Sequence, residues 1–346
     1  VVVQAAQQPP RRHLARVRRE QARHVGPYLG PLGLQLGRKV GRRRVRAAPP
    51  EQDGLIEGIA RDEALREVDG LRGVGETGVV GTLPDAVVTT AELVTRLGDP
   101  LILFVLVVAA YLLATRFDVT APRMVAALAL ALGAFTLTLA LKHAFALPRP
   151  PGAGADGYGF PSGHAIGSTV VYGAFVALLP ERKRSAPLVA GVGTLVALIA
   201  LSRVVIGVHY LVDVVVGVAV GLAFLVTTLR LGPGVAPERV TIADARRVFA
   251  VAFVVGLVGI TVAVVRDTVV AVVAAGGGLA GWHLAADRVV ATPDTTRRLV
   301  AALAVLPAVA LLVPAVLDGG VSLPVTAGLA GGVVALLVAL PGVTAG

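Results

Sequence analysis

Apolar side chains run along this chain in long blocks, not in the alternating or one-faced patterns of a water-soluble fold. The blocks lie at about 100–115, 122–147, 162–180, 186–207, 210–229, 248–265, 268–286, 299–317 and 321–342. Crossing the hydrocarbon of a bilayer takes about 20 apolar residues as helix. Lipid offers no partner to an exposed backbone amide, so each block predicts a helix and not a strand. The expectation is an all-α, polytopic transmembrane bundle of about nine spans. A stretch at 86–97 is amphipathic, and too short and polar to span. Gly217 with Gly221, and Gly277 with Gly281, sit at helical spacing and predict close small-residue packing.

Residues 1–83 break this texture. They are rich in Arg, Gln, Gly and Pro and carry no sustained apolar period. Such a segment buries too little apolar surface to offset chain entropy, so disorder is expected. Three readings are open: a lipid-headgroup arm, a nucleic-acid arm, or an over-extended reading frame. The chain opens on Val and its one Met is Met124, which favours the last. The expected organisation is therefore a basic segment (1–83), a membrane core (84–230) and a C-terminal transmembrane extension of four spans (231–346).

Composition agrees with a lipid setting. Of 346 residues 55% are hydrophobic and 16% charged, against about 25% charge in soluble domains. Mean hydropathy is +0.78. The absence of Cys removes disulfides, thiolate metal sites and a Cys nucleophile. The net charge of +10 misleads until located, because residues 1–50 hold 12 Lys/Arg and a single acid, Glu20. The rest is close to neutral, so a nucleic-acid reading has no support outside that segment and none is expected of the core.

Basic loop residues orient the bundle. Placing Arg182, Lys183 and Arg184 in the cytoplasm puts Arg116, Arg123, Arg230, Arg239, Arg246, Arg247, Arg288, Arg297 and Arg298 on the same side. Only Lys142, Arg149, Arg203 and Arg266 fall opposite. Three of those four stand in short polar segments at the outer ends of consecutive helices. The segments are Lys142–Pro150, Phe160–Ala165 and Ser202–Asp213.

Together these segments hold the parts for phosphoryl transfer. Lys142 is a point charge, and Arg149 and Arg203 are bidentate forks for a phosphate dianion. Pro161-Ser162-Gly163 opens a helix whose free N–H groups favour an anion. His209 and Asp213 lie four residues apart, so the carboxylate can orient the imidazole for attack on phosphorus. His164 is then available as the acid for the leaving alkoxide, with His209 neutral and His164 protonated, which predicts a bell-shaped pH profile. Taken singly, Arg149 and Arg203 have a plainer reading as interfacial anchors, and His209 as a polar cap. The joint spacing outweighs those readings. Trp282 matches no motif and is expected in an interfacial belt. Asp156 and Tyr158, in the Gly-rich loop between the first two segments, are candidates for shaping substrate access.

Lys142-x6-Arg149-Pro150, then Pro161-Ser162-Gly163-His164, then Ser202-Arg203-x5-His209-x3-Asp213 resembles the signature of the type-2 phosphatidic acid phosphatase superfamily. The resemblance covers about residues 85–230. It implies a lipid phosphate or polyprenyl pyrophosphate phosphatase that works through a phosphohistidine without metal or other cofactor. His209 would be the nucleophile, Asp213 its partner and His164 the acid, with Lys142, Arg149, Ser162, Gly163 and Arg203 binding phosphate. It also implies a multi-pass cell-membrane protein with its site on the extracytoplasmic face, and membrane lipids as surroundings. No oligomeric state is implied. Two rivals remain: a lipid-phosphate transporter or binding protein that keeps the pocket without turnover, and a vanadate haloperoxidase, whose relatives are soluble.

Overall fold

A computed structural model describes residues 83–113, 119–235, 237–286 and 321–343. All of them fall in the unit from Gly58 to Gly346. Nearly all of the basic segment 1–83, the apolar block 299–317, and Arg116, Arg288, Arg297 and Arg298 lie outside the described residues.

The described residues form α1 (Asp85–Arg96), α2 (Pro100–Leu113), α3 (Ala121–Phe145), α4 (Gly163–Ala177), α5 (Ala186–Val205), α6 (Leu211–Leu231), α7 (Ile242–Val262), α8 (Arg266–Ala285) and α9 (Leu323–Val343), with no strand among them. Local chemistry sets the starts. Asp99 caps α2 by accepting the Leu101 N–H at 2.9 Å. Ser185 accepts the Leu188 N–H at 3.4 Å before the Pro187 of α5. Thr241 and Asp244 form a reciprocal box at α7, with Asp244 N–H to Thr241 Oγ1 at 3.1 Å and Thr241 N–H to Asp244 Oδ2 at 2.9 Å.

Five of these helices, α3, α5, α6, α7 and α8, are long and apolar enough to cross a membrane. The pair α1 and α2, bent by 47°, makes a sixth if counted as one span. The amphipathic stretch at 86–97 is thus a helix of its own, packed on α5. The block at 162–180 gives a helix of only 15 residues, about 22 Å long at 1.5 Å per residue.

The centre of the bundle is α3, of whose most apolar window 78% is buried, against 28% for α5. Its Ala-rich face explains this, since Ala126, Ala127, Ala129 and Ala134 let neighbours approach on several sides. α5, α6 and α7 turn Leu198, Val215, Leu222, Val254 and Val258 outward, as a lipid-facing surface requires. The expected glycine faces are used. A Cβ on Gly217 would lie 2.9 Å from Ser162 O, and one on Gly221 3.1 Å from Ile166 O, so α6 packs directly on α4. Gly277 and Gly281 likewise lie against the backbone of Gly331 and Ala335 in α9.

Helices after residue 231 are packed into the bundle: α7 lies along α3, where Gly259 faces Ala140 and Gly133 faces Ala252. One finding departs from the sequence reading. Trp282, expected in an interfacial belt, is fully buried and donates its indole N–H to Ile242 O at 3.0 Å. Burial there is set by the packing of α8 on α7, which satisfies the one polar atom of the ring.

The end of the bundle where α3 begins is held by Arg123, which is 3% exposed. It donates to Leu178 O at 2.6 Å, to Pro237 O at 3.1 Å and to Glu238 O. The carbonyls at the C-terminus of α4 and in the α6–α7 loop are thereby satisfied.

Candidate active site

Four helix ends converge at the other end of the bundle. α3 and α5 finish there, α4 and α6 start there, and the loops 146–162 and 206–210 join them. In α3, Ala146 takes φ 50° and its N–H closes on Lys142 O at 2.9 Å, so the chain leaves the helix within a turn of the lysine. The left-handed backbone costs an L-residue about 1–2 kcal/mol. After α5, Gly207 at φ 74° reverses the chain, a conformation open to glycine without steric cost. Val208 N–H then bonds back to Arg203 O at 3.1 Å.

That reversal sets His209 against the first turn of α6. Asp213 Oδ2 accepts the Tyr210 N–H at 3.1 Å and faces His209 Nδ1 at 3.3 Å, both side chains being almost fully buried. The carboxylate therefore caps the helix and holds the ring. With Nδ1–H given to the carboxylate, the lone pair belongs to Nε2. Nε2 lies 3.4 Å from Arg149 Nη1. Burial pushes the His209 imidazole down to about 4; the Asp213 hydrogen bond opposes this, and the charges of Lys142, Arg149 and Arg203 add to it. Arg149 also lies below its usual value, mainly by burial, and keeps its charge.

The loop of 147–160 folds back over the same place. Gly159 N–H donates to Leu147 O at 2.8 Å. Lys142 Nζ donates to Tyr158 O, and Arg149 donates from Nε to Asp156 O at 3.1 Å and from Nη1 to Val208 O at 3.2 Å. Both cations are thus aimed by backbone carbonyls.

A cavity of about 190 Å³ opens between these groups. Its polar end is lined by Lys142, Arg149, Gly163, His164, Arg203 and His209. The rest of the lining is mostly apolar and includes Leu103, Phe104, Phe135, Leu139 and Val171. Asp213 stands behind His209 and does not line it. Ser162 does not line it either. Its N–H donates to Asp213 O at 3.0 Å, and its fully buried hydroxyl has no hydrogen-bond partner among the described residues. Gly163 does reach the cavity, and a Cβ there would lie 2.9 Å from Thr138 Cγ2, so the start of α4 rests on α3. Among the described residues, no three His, Asp or Glu side chains come together as a metal-ligand set.

The cavity is lined by three cations and two histidines, with the Asp213 carboxylate behind one of them. The family model of the PAP2 superfamily matches residues 122–235. This segment is a PAP2 domain. It spans a third of the chain, from α3 to just past α6, and contains every site residue expected from sequence. The PAP2 superfamily is phosphatase-type, and the five long apolar helices are compatible with a membrane protein. No curated protein and no solved structure matches the chain.

Contributors to the PAP2 domain's pocket from outside it were not picked out from sequence. Thr95 of α1 accepts the Arg203 Nη1–H at 2.8 Å, and Pro100, Leu103 and Phe104 of α2 line the cavity. Gly98-Asp99-Pro100 is legible as a helix break; its position opposite Arg203 is not.

Proposed function

We propose that this protein is a multi-pass membrane phosphatase that hydrolyses a lipid phosphate or polyprenyl pyrophosphate at the extracytoplasmic interface, without metal, through a phosphohistidine. The observation that carries the reading is the pairing at His209. Its Nδ1 faces a buried carboxylate, while its Nε2 faces a cavity lined by Lys142, Arg149 and Arg203. A neutral imidazole aimed at a phosphate cradle is the arrangement nucleophilic attack on phosphorus requires.

The phosphate dianion would be held by Lys142, Arg149, Arg203 and the start of α4 at Gly163, with the hydrocarbon tail along Leu103, Phe104, Phe135 and Val171. Nε2 of His209 forms the N–P bond as the P–O bond to the alkoxide or phosphate leaving group breaks. His164 gives that oxygen its proton, an effect of about 10²–10⁴-fold in typical enzymes. It then takes a proton from the water that splits the N–P bond. Ser162 acts in this scheme through its backbone link to Asp213, shaping the start of α4. The excess of basic residues at the Arg123 end of the bundle supports the outward orientation of the site. The described helices α7 and α8, which pack on α3, serve as a structural wall of the bundle.

The test is phosphate release by purified protein in detergent with EDTA, over a panel of lipid phosphates and pyrophosphates, beside His209→Ala. Release that persists in EDTA and is lost in the variant is expected. No release on any lipid from folded protein would favour a transporter or binding protein that keeps the pocket.

A further inference from the structure

The break between α1 and α2 touches the site from a part of the chain that the three motifs do not include. Thr95 accepts the Nη1–H of Arg203 at 2.8 Å, across 108 residues of sequence. Arg203 is buried, and its Nε has no hydrogen-bond partner among the described residues. Arg203 lines the cavity, and the bond to Thr95 takes one of the five N–H donors of its guanidinium, leaving others for a phosphate.

The backbone around Thr95 is itself fixed to the site helices. Leu97 O accepts the Tyr172 hydroxyl of α4 at 2.9 Å. Gly98 is buried, and a Cβ on it would lie 2.5 Å from Ile199 Cγ2 of α5 and 3.2 Å from the His164 ring. Asp99 caps α2 just before Pro100 and Leu103 reach the cavity wall. One short segment thus meets α4, α5 and the cavity together.

We propose that Thr95 is a positioning residue for Arg203, and that the end of α1 with the α1–α2 break, residues 95–99, is a fourth segment of the phosphate site. The inference rests on the reading of Arg203 as a phosphate ligand. It makes the affinity of the cradle depend on a helix that precedes the PAP2 domain. Thr95 acts by withdrawing one rotamer-rich cation from its alternatives, so that the guanidinium is held at the cavity wall before substrate arrives.

The test uses the full chain in detergent, with Thr95→Val, Thr95→Ser and Arg203→Gln. Affinity for inorganic phosphate and vanadate is read from ligand-dependent shifts in unfolding temperature, separately from turnover. Thr95→Val is expected to weaken phosphate about tenfold, as loss of one hydrogen bond to a charged group does. KM should rise by a similar factor with a smaller change in kcat, and Thr95→Ser should stay within about twofold of the parent. In the Arg203→Gln background, Thr95→Val should have no further effect, because the two residues act as a unit. Unchanged phosphate affinity in Thr95→Val, failure of serine to restore it, or additive losses in the double variant would each overturn the proposal. Thr95→Ala gives the same readout should the valine variant not fold. If the parent chain binds phosphate but hydrolyses no lipid, the phosphatase reading falls while the Thr95 proposal is still decided by the binding arm.

Discussion

His209 Nδ1 and Asp213 Oδ2 are 3.3 Å apart, one helical turn from each other in sequence and both shut off from solvent. The carboxylate favours the protonated ring, so it raises a His209 value that burial has lowered to about 4. In Asp213→Asn that support is gone and the His209 value drops further. The acidic limb of kcat/KM should then move to lower pH, while kcat falls by about 10²–10⁴-fold because the ring loses its orientation. Paired pH–rate profiles check this, and the substrate's own ionisation is common to both. A limb that moves upward would contradict the arrangement.

Arg149 works in the opposite direction. Its charge stands 3.4 Å from His209 Nε2 and disfavours protonation of the ring. Arg149→Gln should therefore raise the His209 value and bring the acidic limb of kcat/KM toward neutrality, together with a higher KM. In the parent protein that limb should lie well below pH 6.5, since His209 is already neutral above about 4. An acid limb near neutrality in the parent would contradict this. The bell expected from sequence also needs a protonated His164, which burial and then the charges of Arg203, His209, Lys142 and Arg149 push down to about 3, so that proton rests on the bound phosphate dianion drawing it in.

Arg123 offers a test of stability without chemistry. Three carbonyls depend on its guanidinium at the end of the bundle remote from the pocket. Arg123→Met leaves them without a donor, at about 1–3 kcal/mol for each group that water does not reach. The unfolding temperature should fall markedly, while KM of the folded fraction stays near the parent value. A changed KM at unchanged stability would mean the two ends are not independent.

Removing residues 232–346 tests the role of the C-terminal helices. They cover α3 at Gly133, Thr136 and Ala140, where no large side chain stands ready to face lipid. A chain ending at Leu231 keeps nearly all of the PAP2 match but should aggregate in detergent. A monodisperse, active truncation would show that these helices are dispensable.

The pocket was largely legible in sequence because each motif marks a helix end, and ends of antiparallel neighbours meet. Lys142, Arg149, His164, Arg203 and His209 do line one cavity. What escaped notice depends on packing between distant segments. Thr95 meets Arg203 because α1 lies on α5, which no local pattern announces. The bond from the Ser162 N–H to Asp213 O, which ties the start of α4 to α6, likewise has no local sign in the sequence. Trp282 has the composition of an anchor, but its burial follows from α7 lying across it. The alanines and glycines of α3 did carry a readable signal: a helix so poor in bulk is built to be covered on several sides.

Tyr158 O takes one N–H of the Lys142 ammonium, and Asp156 O and Val208 O take two of the Arg149 guanidinium. An ammonium has three such donors and a guanidinium five, so both cations keep N–H groups for an anion. The chain's own oxygens act as a mould. They fix the direction of two long, rotamer-rich side chains in advance, so a headgroup that enters spends little free energy on ordering them.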